Sequence, residues 1–153
     1  MKPRELVSYI IDYLNNSINR FVSIDELALY FGYEKSYIMK VFKKHIGITI
    51  KDYQNNRRIY NSIKNIYYGD SFLKAALDNG FNSLEYYSEM FTKVVGVSPS
   101  TYKKFINNKC SKEDIVIIER YLKSVQELNT KLLTYRVYGN KVLRLSIPKE
   151  KKY

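Results

Sequence analysis

A repeat inside this chain limits what it can fold into more than any other feature. Ser23, Ala28, Gly32 and Tyr33 recur 48 positions on as Ser71, Ala76, Gly80 and Phe81. After one extra residue, Tyr37, Phe42, Gly47 and Tyr53 recur as Tyr86, Phe91, Gly96 and Tyr102. Two copies of one supersecondary unit make two lobes rather than a solenoid, which needs at least three. The first copy shows what the unit is. Ser23-Ile24-Asp25-Glu26 fits a capping box, with the serine oxygen on a free amide and Glu26 reaching back. Leu27 and Ala28 lie on the inner face, and Gly32 ends the helix where a left-handed residue is needed. A second helix is predicted from about Lys35 to Ile46, with Ile38, Val41 and Phe42 as its apolar stripe. Its other face carries Ser36, Tyr37, Met39, Lys40, Lys43 and Lys44, so the unit reads as a helix-turn-helix with a cationic outer face.

The flanking segments complete each lobe. A stripe of Leu6, Val7, Ile10, Ile11, Leu14 and Ile18 predicts a first helix over about Arg4 to Ile18, covering the first unit. Thr49 caps a long helix over about 50–67, with Tyr53, Ile59, Ile63 and Ile66 inward. Gly69-Asp70-Ser71 breaks the chain before the second unit, and Ser98-Pro99 starts a further helix ending near Asn107. Arg57 and Arg58 lie in the long helix, where two readings stand side by side: phosphate contact, or pairing with acids between the lobes.

Gly32-Tyr33, Tyr37-Ile38, Phe42-Lys43-Lys44, Gly47, Tyr53 and Arg58-Ile59 resemble the first half of an AraC/XylS-type DNA-binding domain. Ala76, Gly80-Phe81, Tyr86-Tyr87-Ser88, Phe91, Gly96-Val97-Ser98-Pro99 and Tyr102 resemble its second half, and the match runs over about residues 5–106. The fold so implied is mainly α: two helix-turn-helix subdomains (about 23–47 and 71–96) joined by a linking helix (about 50–67). The resemblance implies a DNA-binding domain over residues 1–108, with 109–153 as a C-terminal extension. The resemblance assigns base-edge roles to Ser36, Met39 and Lys40, with Tyr37 beside them. Lys40 suits a fork to guanine and Met39 a thymine methyl. Lys35, Lys43, Lys44 and Arg57 are phosphate candidates, while His45 is expected to be merely exposed near a helix end. The family further implies activation more often than repression, through contact with RNA polymerase.

The two reading helices are not equal. Lys40 corresponds to Glu89 and Lys43 to Thr92, and only Lys44 and Lys93 agree. The second outer face thus offers Glu85, Tyr86, Ser88 and Glu89 to bases and Lys93 to a phosphate. Its two carboxylates, one turn apart, would be repelled by a DNA backbone. Three readings follow: acceptance of a hydrogen bond from a cytosine amino group, pairing with Lys74, Lys93 or the tail, and a second head that stays shallow or faces a protein. The last is the expectation. An alternative of a different class follows from it, an interaction protein whose second unit and tail bind a partner and whose DNA contact is single-headed or weak.

Composition narrows the field. A net charge of +11 calls for a polyanionic partner, double-stranded DNA first, although richness in Lys, Asn, Ile and Tyr accounts for part of it. A single cysteine, Cys110, allows no internal disulfide and fits a reducing cytoplasm. No stretch approaches a membrane span, and the N-terminus reads as a helix rather than a leader. With one histidine, no zinc spacing and no Gly-rich phosphate loop, no catalytic, metal or cofactor site is expected.

Beyond the resemblance, residues 110–153 hold ten Lys and Arg against five Asp and Glu. Ile115, Ile118, Leu122, Val125, Asn129 and Leu132 recur as an a/d pattern, so this helix either packs on the lobes or pairs with a second copy, a homodimer through residues 112–147. LLTYRVY and KVLRLSI around Gly139-Asn140 predict a β-hairpin, which needs a partner to be stable. No separate sensing domain fits in this tail, so the chain reads either as a short regulator or as the front of a longer one.

Overall fold

A computed structural model describes residues 1–135, which form eight α-helices and no strand. They are α1 (Pro3–Asn15), α2 (Ile24–Phe31), α3 (Lys35–Ile46), α4 (Ile50–Tyr67), α5 (Phe72–Asp78), α6 (Leu84–Val95), α7 (Pro99–Ile106) and α8 (Lys112–Leu133). Helix starts follow the sequence closely. The side chains of Ser23, Thr49, Ser71, Ser83, Ser98 and Ser111 each accept from the amide three residues on, satisfying a donor that the helix leaves open. The first capping box is only half present. Glu26 does not return to Ser23; its carboxylate takes two bonds from Arg20, at 2.8 and 2.6 Å, and one from the Tyr13 hydroxyl. Those neighbours hold Glu26 down at a pKa of about 2.

Two cores result. The first buries Leu6, Ile10, Leu27, Ile38, Phe42 and Tyr53 between α1, α2, α3 and the start of α4. The second buries Ile63, Ala76, Phe81, Tyr87, Phe91 and Tyr102 between the rest of α4 and α5 to α7. Each large side chain that leaves water entirely contributes about 1.5–3 kcal/mol. The 18-residue α4 serves both cores and is about 27 Å long. Its Tyr53 hydroxyl donates to Asn15 in the first lobe, and its Ser62 receives the Tyr87 hydroxyl in the second.

The lobes also touch directly. Arg58 donates from Nε to the Asn79 carbonyl at 2.9 Å and from Nη2 to the Gly80 carbonyl. Its guanidinium lies 4.3 Å from the Phe81 ring centre and 5.8 Å from that of Phe21. Arg58 therefore joins backbone carbonyls of the second unit to α4, and neither expected role, phosphate contact or acid pairing, describes it.

α8 settles the choice left open by its apolar pattern. Ile118, Tyr121 and Val125 enter the second core, Leu132 and Tyr135 enter the first, and Leu128 packs against both. The buried register uses Tyr121 rather than Leu122. The stripe offered to a second copy is thus occupied by the chain's own lobes. The predicted hairpin is not supported: Leu132 and Leu133, the start of its first strand, are the last turn of α8. Its residues from 136 onward lie outside the described residues.

Candidate nucleic-acid interface

α3 presents its polar face because Ile38, Val41, Phe42 and Ile46 are drawn into the first core. Lys35, Ser36, Tyr37, Met39, Lys40, Lys43 and Lys44 are all left exposed. Met39 is 48% exposed, an apolar side chain held in water between cations. Tyr37 stacks on Tyr33 with ring centres 5.2 Å apart, which fixes its ring at the edge of the face. Lys35 is partly engaged, with its ammonium 3.0 Å from the Asp25 carboxylate across the turn.

Beside this face opens a cleft of about 430 Å³, lined by Lys2, Pro3, Arg4, Tyr37, Lys40, Val41, Lys44 and His45. It extends the cationic surface of α3 onto the first turn of α1. Lys2 and Arg4 were missed in the sequence, although the charged start Lys2-Pro3-Arg4 was its signal. His45 departs from expectation: it is half-buried, with Nδ1 3.2 Å from the Tyr135 hydroxyl. Burial first, then the charges of Lys44 and Arg4, press its pKa below the usual histidine value.

Arg57 must be withdrawn as a phosphate contact. It is 4% exposed, and its Nε and Nη1 find no partner among the described residues. It lies inward on α4 beside Tyr53, Leu14 and Gln54, so its guanidinium is not offered to a phosphate at the surface. A buried, incompletely bonded guanidinium contributes little, and well-packed apolar replacements at such sites are often neutral or stabilising. Arg57→Met is therefore expected to keep DNA affinity within about twofold and to hold or raise the melting temperature. Parallel binding and thermal-denaturation curves check both, and a large affinity loss in a folded protein would return Arg57 to the interface.

On the second unit, Tyr87, Phe91 and Val95 turn inward from α6. Glu85, Tyr86, Glu89 and Lys93 are exposed, while Ser88 is half-buried and its carbonyl accepts from the Thr92 hydroxyl. Lys74, a suggested partner for these acids, pairs with Asp78 at 2.7 Å instead. Among the described residues the ion pairs are Arg20–Glu26, Lys35–Asp25 and Lys74–Asp78, so neither Glu85 nor Glu89 is neutralised there. No three or more His, Cys, Asp or Glu side chains of the described residues stand together as a metal site. No described helix is long and apolar enough to cross a membrane.

Two helix-turn-helix units on a shared helix, one with an exposed cationic second helix, define the tandem helix-turn-helix class of transcription regulators. A family described as a helix-turn-helix domain matches residues 27–104, and the chain belongs to this AraC-type family. Among similar proteins, the transcriptional regulatory protein HptR of Staphylococcus aureus is 34% identical over 98 residues. That match covers 64% of this chain and 39% of HptR, so the chain spans about two-fifths of that relative. The transcriptional activator AarP of Providencia stuartii is 27% identical over 99 residues, covering 64% of this chain and 73% of AarP. The C-terminal domain of AraT, a response regulator from Geobacillus stearothermophilus, superposes with a TM-score of 0.62 at 19% identity. It covers 65% of this chain and 84% of that domain. A Listeria innocua protein of unknown function gives 0.58 at 22% identity, covering 63% and 93%. These structural likenesses speak for the fold.

Proposed function

We propose that this DNA-binding regulator is sequence-specific and reads the major groove with two helices, α3 more strongly than α6. The observation that carries this is the contrast between their outer faces. α3 exposes Ser36, Met39 and Lys40, which we assign to bases, and Lys35, Lys43 and Lys44, which we assign to phosphates, whereas α6 exposes Glu85, Tyr86 and Glu89 with Lys93, and Ser88 in part. Lys2 joins the phosphate set through the shared cleft, while the Arg4 guanidinium beside it is held by the Thr134 carbonyl and the Tyr135 ring. Two inserted helices would meet groove segments about one helical turn apart. Activation through RNA polymerase in the cytoplasm is the role we take from the family, and AarP carries the name of an activator.

Selection from randomised duplexes at about physiological salt tests the reading, since non-specific binding is weak there. Two selected blocks about a turn apart support two-headed reading; no enrichment overturns sequence specificity. Lys40→Ala should cost about 1–3 kcal/mol on the selected site and relax preference at one or two positions of one block. An unchanged preference removes Lys40 from the base-reading set. A second reading rests on the unneutralised Glu85 and Glu89: α6 docks on a protein and DNA is read by α3 alone. A single short selected block favours it.

A further inference from the structure

We propose that α8 is a strap that fixes the two reading helices relative to one another, with Ile117, Leu128, Lys131 and Tyr135 as positioning residues that set which spacing of DNA blocks the protein accepts. The proposal rests on the two-headed reading. The family match ends at residue 104, so nothing in it covers this helix.

The contacts fall at the ends of both reading helices. At α6, the side chain of Ile117 lies so close to Gly96, the cap residue, that an added Cβ would stand 2.6 Å from its Cγ2. At α3, the Lys131 ammonium donates to the Ile46 carbonyl at 3.2 Å, beside the cap residue Gly47. A cation there offsets the negative end of the helix as well as satisfying an open carbonyl. Between these points Leu128 packs against both cores. Beyond them the chain is fastened to α1 and α3. Ser8 donates to the Tyr135 carbonyl at 2.7 Å, Arg4 donates to the Thr134 carbonyl, and the Arg4 guanidinium lies 4.5 Å from the Tyr135 ring centre.

One 22-residue helix, about 33 Å long, therefore abuts the C-terminal ends of both reading helices. With α4 and the Arg58 junction, it makes a third connection between the lobes. α4 alone permits the lobes to tilt by bending; a second rod between the same bodies does not. Rigid linkage matters because the second head binds as an intramolecular event, whose gain is largest when the link matches the span and is lost when it does not.

The test loosens the strap at its first-lobe end, leaving the second core intact, in the triple variant Ser8→Ala, Lys131→Ala, Tyr135→Ala. His45 is the only histidine, so its ring signals report undocking directly: without Tyr135 packed against it, its burial falls and its pKa should rise toward the usual value. Spin labels at the exposed positions Tyr30→Cys and Leu77→Cys, in a Cys110→Ser background, measure the distance between lobes. The expected result is one narrow distance distribution with the strap intact and a broad one in the triple variant. On duplexes, the variant should bind correctly spaced blocks about tenfold more weakly, keep its affinity for the first block alone, and lose much of the penalty for one inserted base pair. An equally narrow distance distribution in the undocked variant overturns the strap whatever DNA does. A broadened distribution with only one selected block leaves the strap standing and retires the two-headed reading.

Discussion

Gly80→Ala is expected to destabilise the protein by roughly 2–5 kcal/mol, while the same change at its repeat partner, Gly32, costs only about 1–2 kcal/mol. Both glycines end the first helix of a unit with φ positive, +82° at Gly80 and +75° at Gly32, so both variants share the backbone penalty of a left-handed residue. They differ in what surrounds them. A Cβ at Gly32 meets nothing within 4 Å, whereas at Gly80 it would stand 2.7 Å from the Asn19 carbonyl oxygen and 2.8 Å from its carbon. Backbone cannot swing aside as a side-chain tip does, so the Asn19–Arg20 turn must shift. The Gly80 carbonyl is also held by Arg58, so the shift pulls on the junction between lobes. Against a total stability of about 5–15 kcal/mol, the upper end of this loss leaves little margin. Urea denaturation of both variants gives the comparison, and equal losses at the two sites would remove Gly80 from the junction.

That difference could not be read from the repeat, which makes Gly32 and Gly80 equivalent. Periodicity and caps are local properties, and they placed α3 at its observed ends and α4 within a residue or so. What depends on a distant neighbour was invisible. Arg57 and Arg58 look alike in sequence, yet one is buried without full bonding and the other clasps Asn79 and Gly80. Glu26 was expected to cap its own helix, because the capping-box pattern does not reveal Arg20 and Tyr13 folding back onto it. His45 reads as a surface residue because nothing local reveals Tyr135, 90 positions on, whose hydroxyl lies 3.2 Å from its Nδ1. For α8 the expected positions Ile118, Val125, Asn129 and Leu132 are buried, and at one position Tyr121 goes deeper than Leu122, which packs only partly against the second core. The candidate site was more legible than the packing. Exposed cations on α3 need no partner to be recognised, and only Lys2, which joins through the cleft, required the fold.

The double variant Lys43→Ala, Lys44→Ala is expected to weaken binding to every duplex by about thirtyfold at roughly 0.15 M salt, with base preference unchanged. Each neutralised phosphate contributes about 0.9 to the slope of log affinity on log salt, so the slope should become shallower by about 1.8. Both lysines are exposed and neither has an acid within ion-pair distance among the described residues, so their loss should leave folding untouched. A slope unchanged within error would place the DNA backbone elsewhere and reassign the cationic face to another partner. Glu85→Gln with Glu89→Gln is the matching measurement on α6, and its direction discriminates. Removing two uncompensated carboxylates raises affinity for all sequences if α6 runs beside phosphates. It shifts preference at one block if the glutamates accept from cytosine amino groups. It changes neither if α6 faces a protein, and only that result takes α6 away from the DNA altogether. The lysines and the glutamates lie on comparable faces of two copies of one unit, so the repeat supplies its own control: one fold carries the two faces with opposite charge.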